Sequence, residues 1–225
     1  MYEELKYWYL RDHKLFWTLS MSQIKQLCII TGFKKAKKGD IIYFSDSEVP
    51  RIFLLKKGSI KIVSVDEEGE ETIKDIIQKG DLFGELSLEQ DIQVNEYAKA
   101  LTDEVIICSF LLSDFEDLIY KHPTLALTYT KFVGWKMKRL KMNYANLVSK
   151  DAKSRLITFF KEWANKEGKE SEQGIVIENY LTQTDIAQLI CTARQTATLL
   201  LNELMEEGKI IYGRREIIIP DLNNL

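Results

Sequence analysis

The chain has 225 residues, 45% hydrophobic and 29% charged, the balance of a folded protein, and its length allows two domains of about 100 residues each. Lys and Arg number 31 against 34 Asp and Glu, a net charge near −3. The longest apolar runs are four residues, as at 41–44 and 105–108, where a membrane-spanning helix needs about 18 or more; the first residues, MYEELKYWYLRDHK, carry acids where an export signal needs basic and then apolar residues, so the chain is expected in the cytoplasm with no membrane partner.

Helices are expected over residues 2–17 and 21–30. From about residue 34 the text turns to short β-rich runs at 41–44, 52–55, 59–65, 72–77 and 104–110. Gly39, Gly58, Gly69 and Gly80 fall between them, where the chain must reverse and positive φ costs glycine little. Short strands at such spacing describe an antiparallel roll or barrel. From residue 125 to about 149 the period becomes helical. Ala126, Thr130, Val133, Met137, Leu140, Tyr144 and Leu147 recur at alternating spacings of four and three, an a/d seam over three heptads. Leu125, Tyr129 and Phe132 form a second apolar face. One face can therefore pack on the roll while the seam, chiefly Val133, Met137, Leu140, Tyr144 and Leu147, meets a second copy in a parallel homodimer. A long helix packed only on its own domain is the plainer reading of the same pattern.

After Asp151 comes an amphipathic helix with Leu156, Phe159, Phe160 and Trp163, then a polar loop over 165–174. Thr182 and Asp185, three apart, approximate a capping box opening a short helix over 183–190, with Ala187 small where another helix crosses. Cys191 and Thr192 break the pattern. Thr192 is placed to cap a second helix over 193–207, which Gly208 ends. Residues 210–212 and 216–219 flank a turn at Gly213, Arg214 and Arg215 as a hairpin. Helix, tight turn, helix and hairpin make a winged helix-turn-helix, whose second helix enters the major groove of double-stranded DNA. Its first turn carries Arg194, Gln195 and Thr198 on one exposed face, over a stripe of Ala197, Leu200, Leu201 and Leu204. Arg pairs with guanine O6 and N7, Gln with adenine N6 and N7, and Arg214 and Arg215 suit phosphate contact. Thr182, Gln183, Thr192 and Thr196 complete the candidate DNA-facing set. An ordinary amphipathic helix shows the same pattern, but the wing and the preceding long helix favour DNA. Residues 150–225 hold 10 basic and 12 acidic side chains and residues 113–149 hold 6 and 3, so DNA contact rests on a local patch.

Cys28, Cys108 and Cys191 are odd in number and far apart, which excludes a disulfide framework and a cysteine zinc site. His13 reads as a packing residue of the first helix, and His122, before Pro123, as solvent-facing. With no nucleophile–base pair and no metal set, neither an enzyme nor a metal or cofactor is expected.

In the order of its parts the chain resembles the cyclic-AMP receptor protein/FNR superfamily of bacterial transcription regulators, over roughly residues 24–220. The roll, the loop Gly80-Asp81-Leu82-Phe83-Gly84-Glu85-Leu86-Ser87-Leu88, the long helix and residues 181–208 carry the resemblance. It implies an α+β chain: a cyclic-nucleotide-binding-like β-roll with N-terminal helices over 1–112, a dimerisation helix region over 113–149, and a winged helix-turn-helix over 150–225. It further implies a homodimeric, sequence-specific regulator, with RNA polymerase a candidate partner. In nucleotide-binding members the Gly-Glu-Leu loop starts a short helix that holds the cyclic phosphate, the Glu takes the ribose hydroxyl, and an Arg further on neutralises the phosphate. Gly84, Glu85, Leu86 and Ser87 match that effector loop. Val94 and Asn95 stand where the Arg would align, so cyclic AMP is not the expected ligand. Lys99 is the remaining candidate counter-charge, its direction left open by strand alternation. The cysteine cluster of iron–sulfur members is absent, and haem ligands are isolated candidates. Three readings of the roll stay open: an unidentified small effector, a cyclic nucleotide at a non-standard phosphate site, or no ligand. The helix-turn-helix departs too. Cys191 holds the turn position usually given to Gly, which forces a non-Gly residue into a strained or left-handed conformation. Ala193 replaces a frequent Ser. The family's base-reading Arg-Glu pair and further Arg one turn on match as Arg194, Gln195 and Leu199, so the half-site is expected to differ from that of the cyclic-AMP receptor.

Overall fold

The computed structural model describes residues 10, 11, 13, 15–30, 32–43, 50–84 and 96–225. Two units divide the chain, Met1–Lys138 and Arg139–Leu225. In the first, the described strands form two four-stranded antiparallel sheets. One runs in the order β1 (Gly32–Ala36), β8 (Val105–Leu111), β3 (Arg51–Lys57), β6 (Leu82–Gly84); the other runs β2 (Ile41–Tyr43), β7 (Glu96–Ala100), β4 (Ile60–Val65), β5 (Glu71–Ile77).

Side-chain alternation explains why β3 and β8 are almost continuously apolar. Successive side chains point to opposite faces, and here both faces are covered. Phe53, Leu55, Val105 and Ile107 belong to the core inside the roll, with Ile42, Ile60, Ile62, Ala98 and Ala100. Ile52, Leu54, Cys108 and Phe110 face the other way into a second core, with Leu10, Leu15, Phe16, Ile24, Phe115, Leu118 and Leu125. That second core joins the sheet to α1 (Met21–Ile30), α2 (Leu112–Lys121) and the start of α3 (Pro123–Ser149). Phe115 meets the Tyr129 ring edge-on, and burial pushes the Tyr129 phenol above its ordinary pKa. The Lys136 ammonium donates to the Leu82 carbonyl at 2.8 Å, tying α3 to β6.

All four turn glycines have positive φ. At Gly58 the requirement is doubled: φ is +81° and an added Cβ would lie 2.4 Å from Thr102 Oγ1 and 2.5 Å from the Glu104 carbonyl.

Several expectations are corrected. The first helix was expected over 2–17; residues 1–9, 12 and 14 lie outside the described residues, and Trp17 sits in a turn at 15–18. His13 organises that turn. Its Nδ1 accepts from the Leu15 amide at 3.1 Å, so Nε2 carries the proton and donates to the Gly80 carbonyl at 2.8 Å. His122 is half-buried at the C-terminal end of α2, its Nδ1 2.9 Å from the Gln23 side-chain amide, rather than facing solvent freely. Strands β1, β6 and β7 and helix α2 were not anticipated.

The second unit follows α3 with α4 (Ala152–Glu167), whose N-terminus Asp151 caps by accepting from the Ser154 amide at 2.7 Å. That hydrogen bond holds the Asp151 carboxyl below its usual range. The loop expected over 165–174 is instead the end of α4 and strands β9 (Lys169–Ser171) and the start of β10 (Gly174–Glu178). Then come α5 (Gln183–Leu189), α6 (Arg194–Glu206), β11 (Ile211–Tyr212) and β12 (Glu216–Ile219), with the strands in the order β11-β12-β10-β9. Leu156, Phe160, Ile177, Ile186, Ala187, Ala197, Leu201, Leu204, Ile217 and Ile219 are buried.

Candidate nucleic-acid interface

A reciprocal capping box opens α5. Thr182 Oγ1 accepts from the Asp185 amide at 3.1 Å, while the buried Asp185 carboxylate accepts from the Thr182 amide at 2.8 Å and hydroxyl at 2.7 Å. Two otherwise orphaned N–H groups are satisfied this way. The helix closes as a Schellman motif: the Cys191 amide donates to Gln188 at 3.0 Å and the Thr192 amide to Ala187 at 2.9 Å. Such a closure needs a left-handed residue, and Cys191 supplies it at φ +52°. A non-Gly residue there costs about 1–2 kcal/mol. Thr192 does not cap α6; Ala193 holds the N-cap position with no side-chain bond, because Thr192 is drawn into the Schellman closure.

Helix α6 buries Ala197, Leu201 and Leu204 and leaves Leu200 half-buried. Arg194, Gln195 and Leu199 are exposed, Leu199 at 64%. Thr196 and Thr198 are half-buried. Thr198 does not stand free on the exposed face as expected. Its hydroxyl lies 2.9 Å from Gln183 Oε1 and 3.0 Å from the Arg194 carbonyl. Gln183 and Thr198 thus join α5 to α6. At the far end of α6, Lys153 of α4 bridges Glu203 at 3.2 Å and Glu207 at 2.6 Å, and Lys209 reaches Glu207 at 3.1 Å. These contacts, Lys153 first, lower the Glu207 pKa. Gly208 ends the helix region at φ +69°.

Arg214 and Arg215 are exposed at the tip of the hairpin, closed by the Gly213 amide donating to Glu216 at 2.9 Å. Asn179, missed in the sequence, braces that tip. Its amide donates to the Arg215 carbonyl at 2.9 Å and its Nδ2 to the Gly213 carbonyl at 2.7 Å. Arg155 of α4 was also missed; its guanidinium reaches the α5–α6 turn.

Along α3 the seam is exposed in the single chain: Val133 41%, Met137 56%, Leu140 69%, Tyr144 69% and Leu147 42%. A flanking face, with Leu125 buried and Tyr129 and Phe132 packed on the roll's outer core, is satisfied. In the roll, Gly84 ends β6 at φ +102°, where a Cβ would lie 2.6 Å from the Arg51 carbonyl and 2.8 Å from the Phe53 ring. Glu85, Leu86, Ser87, Val94 and Asn95 lie outside the described residues. Lys99 alternates with Ala98 and Ala100, both in the inner core, and therefore stands on the outer face of its sheet, away from the roll interior. Among the described residues no group of three or more His, Cys, Asp or Glu could hold a metal ion, and no helix is long and apolar enough to cross a membrane.

The family model of the cyclic nucleotide-binding domain matches residues 33–122, and that of the Crp-like helix-turn-helix domain matches residues 154–225. The global nitrogen regulator of Synechocystis sp. is 27% identical over 192 residues, spanning 85% of this chain and 84% of that protein. Among solved structures, a CooA variant from Carboxydothermus hydrogenoformans is 26% identical with a TM-score of 0.70, covering 88% of each chain. FixK2 from Bradyrhizobium japonicum shares the fold at 17% identity, with a TM-score of 0.72 over 87% of this chain and 95% of its own.

Proposed function

We infer the working of this chain from its membership: it belongs to the cyclic-AMP receptor protein/FNR superfamily and is a DNA-binding transcription regulator of that type. Its parts divide into an effector roll over 1–112, a dimerisation helix region over 113–149 and a DNA-binding region over 150–225. Two copies pair in parallel through Val133, Met137, Leu140, Tyr144 and Leu147, since an exposed apolar stripe of this length on a helix satisfied on its other face needs a partner. The dimer then presents two α6 helices to successive major grooves.

In each groove Arg194 reads a guanine and Gln195 an adenine. Leu199 takes the place of a second arginine and meets a thymine methyl. Gln183, Thr192, Thr196, Arg214 and Arg215 hold phosphates, while Thr182 and Thr198 act by fixing the two helices. The observation that carries this reading is the exposed row Arg194, Gln195 and Leu199 above the buried Ala197, Leu201 and Leu204. The roll takes a small effector through the segment Gly84, Glu85, Leu86 and Ser87. That effector is not a cyclic nucleotide paired with a basic side chain, because Lys99 faces away from the interior. The protein works in the cytoplasm, where DNA and RNA polymerase are met, and is not an enzyme.

Fluorescence anisotropy with selected DNA tests the assignment of α6. Arg194→Ala is expected to weaken binding and flatten preference at one base pair while leaving the circular dichroism unchanged. Unaltered discrimination at every position would remove α6 from the groove.

A further inference from the structure

The α5–α6 turn places a cysteine in the left-handed position that closes a Schellman motif. That closure satisfies the Ala187 and Gln188 carbonyls and does not use those of Ile190 and Cys191, just past the end of α5. Both are taken by one side chain. Arg155, in the first turns of α4, donates from Nε to Ile190 O at 2.8 Å and from Nη2 to Cys191 O at 3.2 Å. Its Nη1 donates to Lys150 O at 2.7 Å, in the corner between α3 and α4. A guanidinium is a rigid planar fork, so these three bonds fix three carbonyls relative to one another. A cation also suits the negative end of α5.

We propose that Arg155 is a positioning residue for DNA recognition: it holds the strained Cys191 turn in register with the α3–α4 corner, and so sets where α6 presents Arg194 and Gln195. The proposal rests on the reading of α6 as the groove-entering helix. Arg155 touches no base in this scheme. Its role is geometric, and a lysine, which keeps the charge but offers a single donor point, cannot perform it. Glycine accepts the left-handed conformation without the strain of a Cβ, so Cys191→Gly lessens the need for the clamp.

The test uses the full-length protein and DNA selected by the wild type, with random DNA for comparison, at several salt concentrations. Arg155→Lys and Arg155→Gln are each expected to lower the specific-to-random affinity ratio about tenfold or more, within the range that one recognition contact controls. Helical circular dichroism and the slope of log affinity against log salt are expected to stay unchanged, since no phosphate contact is lost. Adding Cys191→Gly to Arg155→Lys is expected to recover much of the ratio. An unchanged ratio in both variants, a lysine variant that matches wild type while glutamine fails, a salt slope reduced by about one, or no recovery with Cys191→Gly would each overturn the proposal. A wild-type protein that selects no sequence at all would instead overturn the DNA reading, and this proposal with it.

Discussion

Leu140→Glu tests the seam most sharply because Leu140 can be changed without disturbing the fold of the single chain. It is 69% exposed, lies on the a/d stripe and is not among the α3 side chains packed on the roll's outer core. Fully burying a leucine is worth about 1.5–3 kcal/mol, and covering the exposed two thirds of Leu140 is worth roughly 1–2 kcal/mol in each protomer. By symmetry the substitution acts twice, so a dimer is expected to lose roughly 2–4 kcal/mol, about 30- to 700-fold in its dissociation constant. Two facing carboxylates add repulsion. Sedimentation equilibrium over a micromolar concentration range reads this directly, with Lys141→Glu, one residue off the seam, as control. The expected result is a folded protein that shifts toward monomer, and a control that does not. An unchanged dimer constant for Leu140→Glu would refute the seam and move the interface elsewhere on the chain.

Leu199→Arg is expected to shift preference at one base pair from thymine toward guanine, by about 1–3 kcal/mol, in a binding assay over all single-base variants of the site. Thr182→Ala removes the cap hydroxyl and leaves the buried Asp185 carboxylate with one bond fewer; thermal unfolding is expected to show a loss of about 0.5–2 kcal/mol. The Glu207 pKa is depressed in the fold by Lys153 and Lys209, so its stabilisation is present above the ordinary carboxylate value of 4.5 and lost as pH falls through the lowered one. Glu207→Gln is therefore expected to lower the unfolding midpoint at pH 7, and the gap to wild type should close as pH falls through the lowered value. Calorimetry with cyclic AMP is expected to find no micromolar binding at the roll, because Lys99 faces outward; tight binding would point to another base in the pocket.

What could be read in the residues, and what could not, follows from how local each signal is. The α5 capping box, the left-handed Cys191 and the Gly208 stop are short-range patterns, and each stands where its spacing put it, while the a/d residues lie along one continuous helix. Helix α1 matches, its start fixed locally by Ser20 and Gln23, each side chain accepting from the other's amide. Strand β7, EYAKA, was missed because its alanines favour helix and only pairing with β2 and β4 makes it a strand. Strand β1 hides behind Lys34 and Lys35, suited to the exposed edge of a sheet. Strand β9 is exposed throughout, so no apolar alternation announces it. At the candidate site, the exposure of Arg194 and Gln195 at the start of α6 was legible from the apolar stripe that follows them. Arg155 and Asn179 were not. Each acts on backbone carbonyls some 35 residues away, and nothing in residue type or spacing marks a carbonyl as exposed until the chain has folded.

The most direct measurement is selection of random double-stranded DNA by the purified protein, followed by sequencing of what it retains. Two copies of α6 related by a twofold axis should enrich an inverted repeat whose half-sites lie about one helical turn apart, with a guanine in each half-site that is lost for Arg194→Ala. No enrichment, or a lone half-site without its symmetric mate, would contradict a dimeric regulator reading DNA through α6.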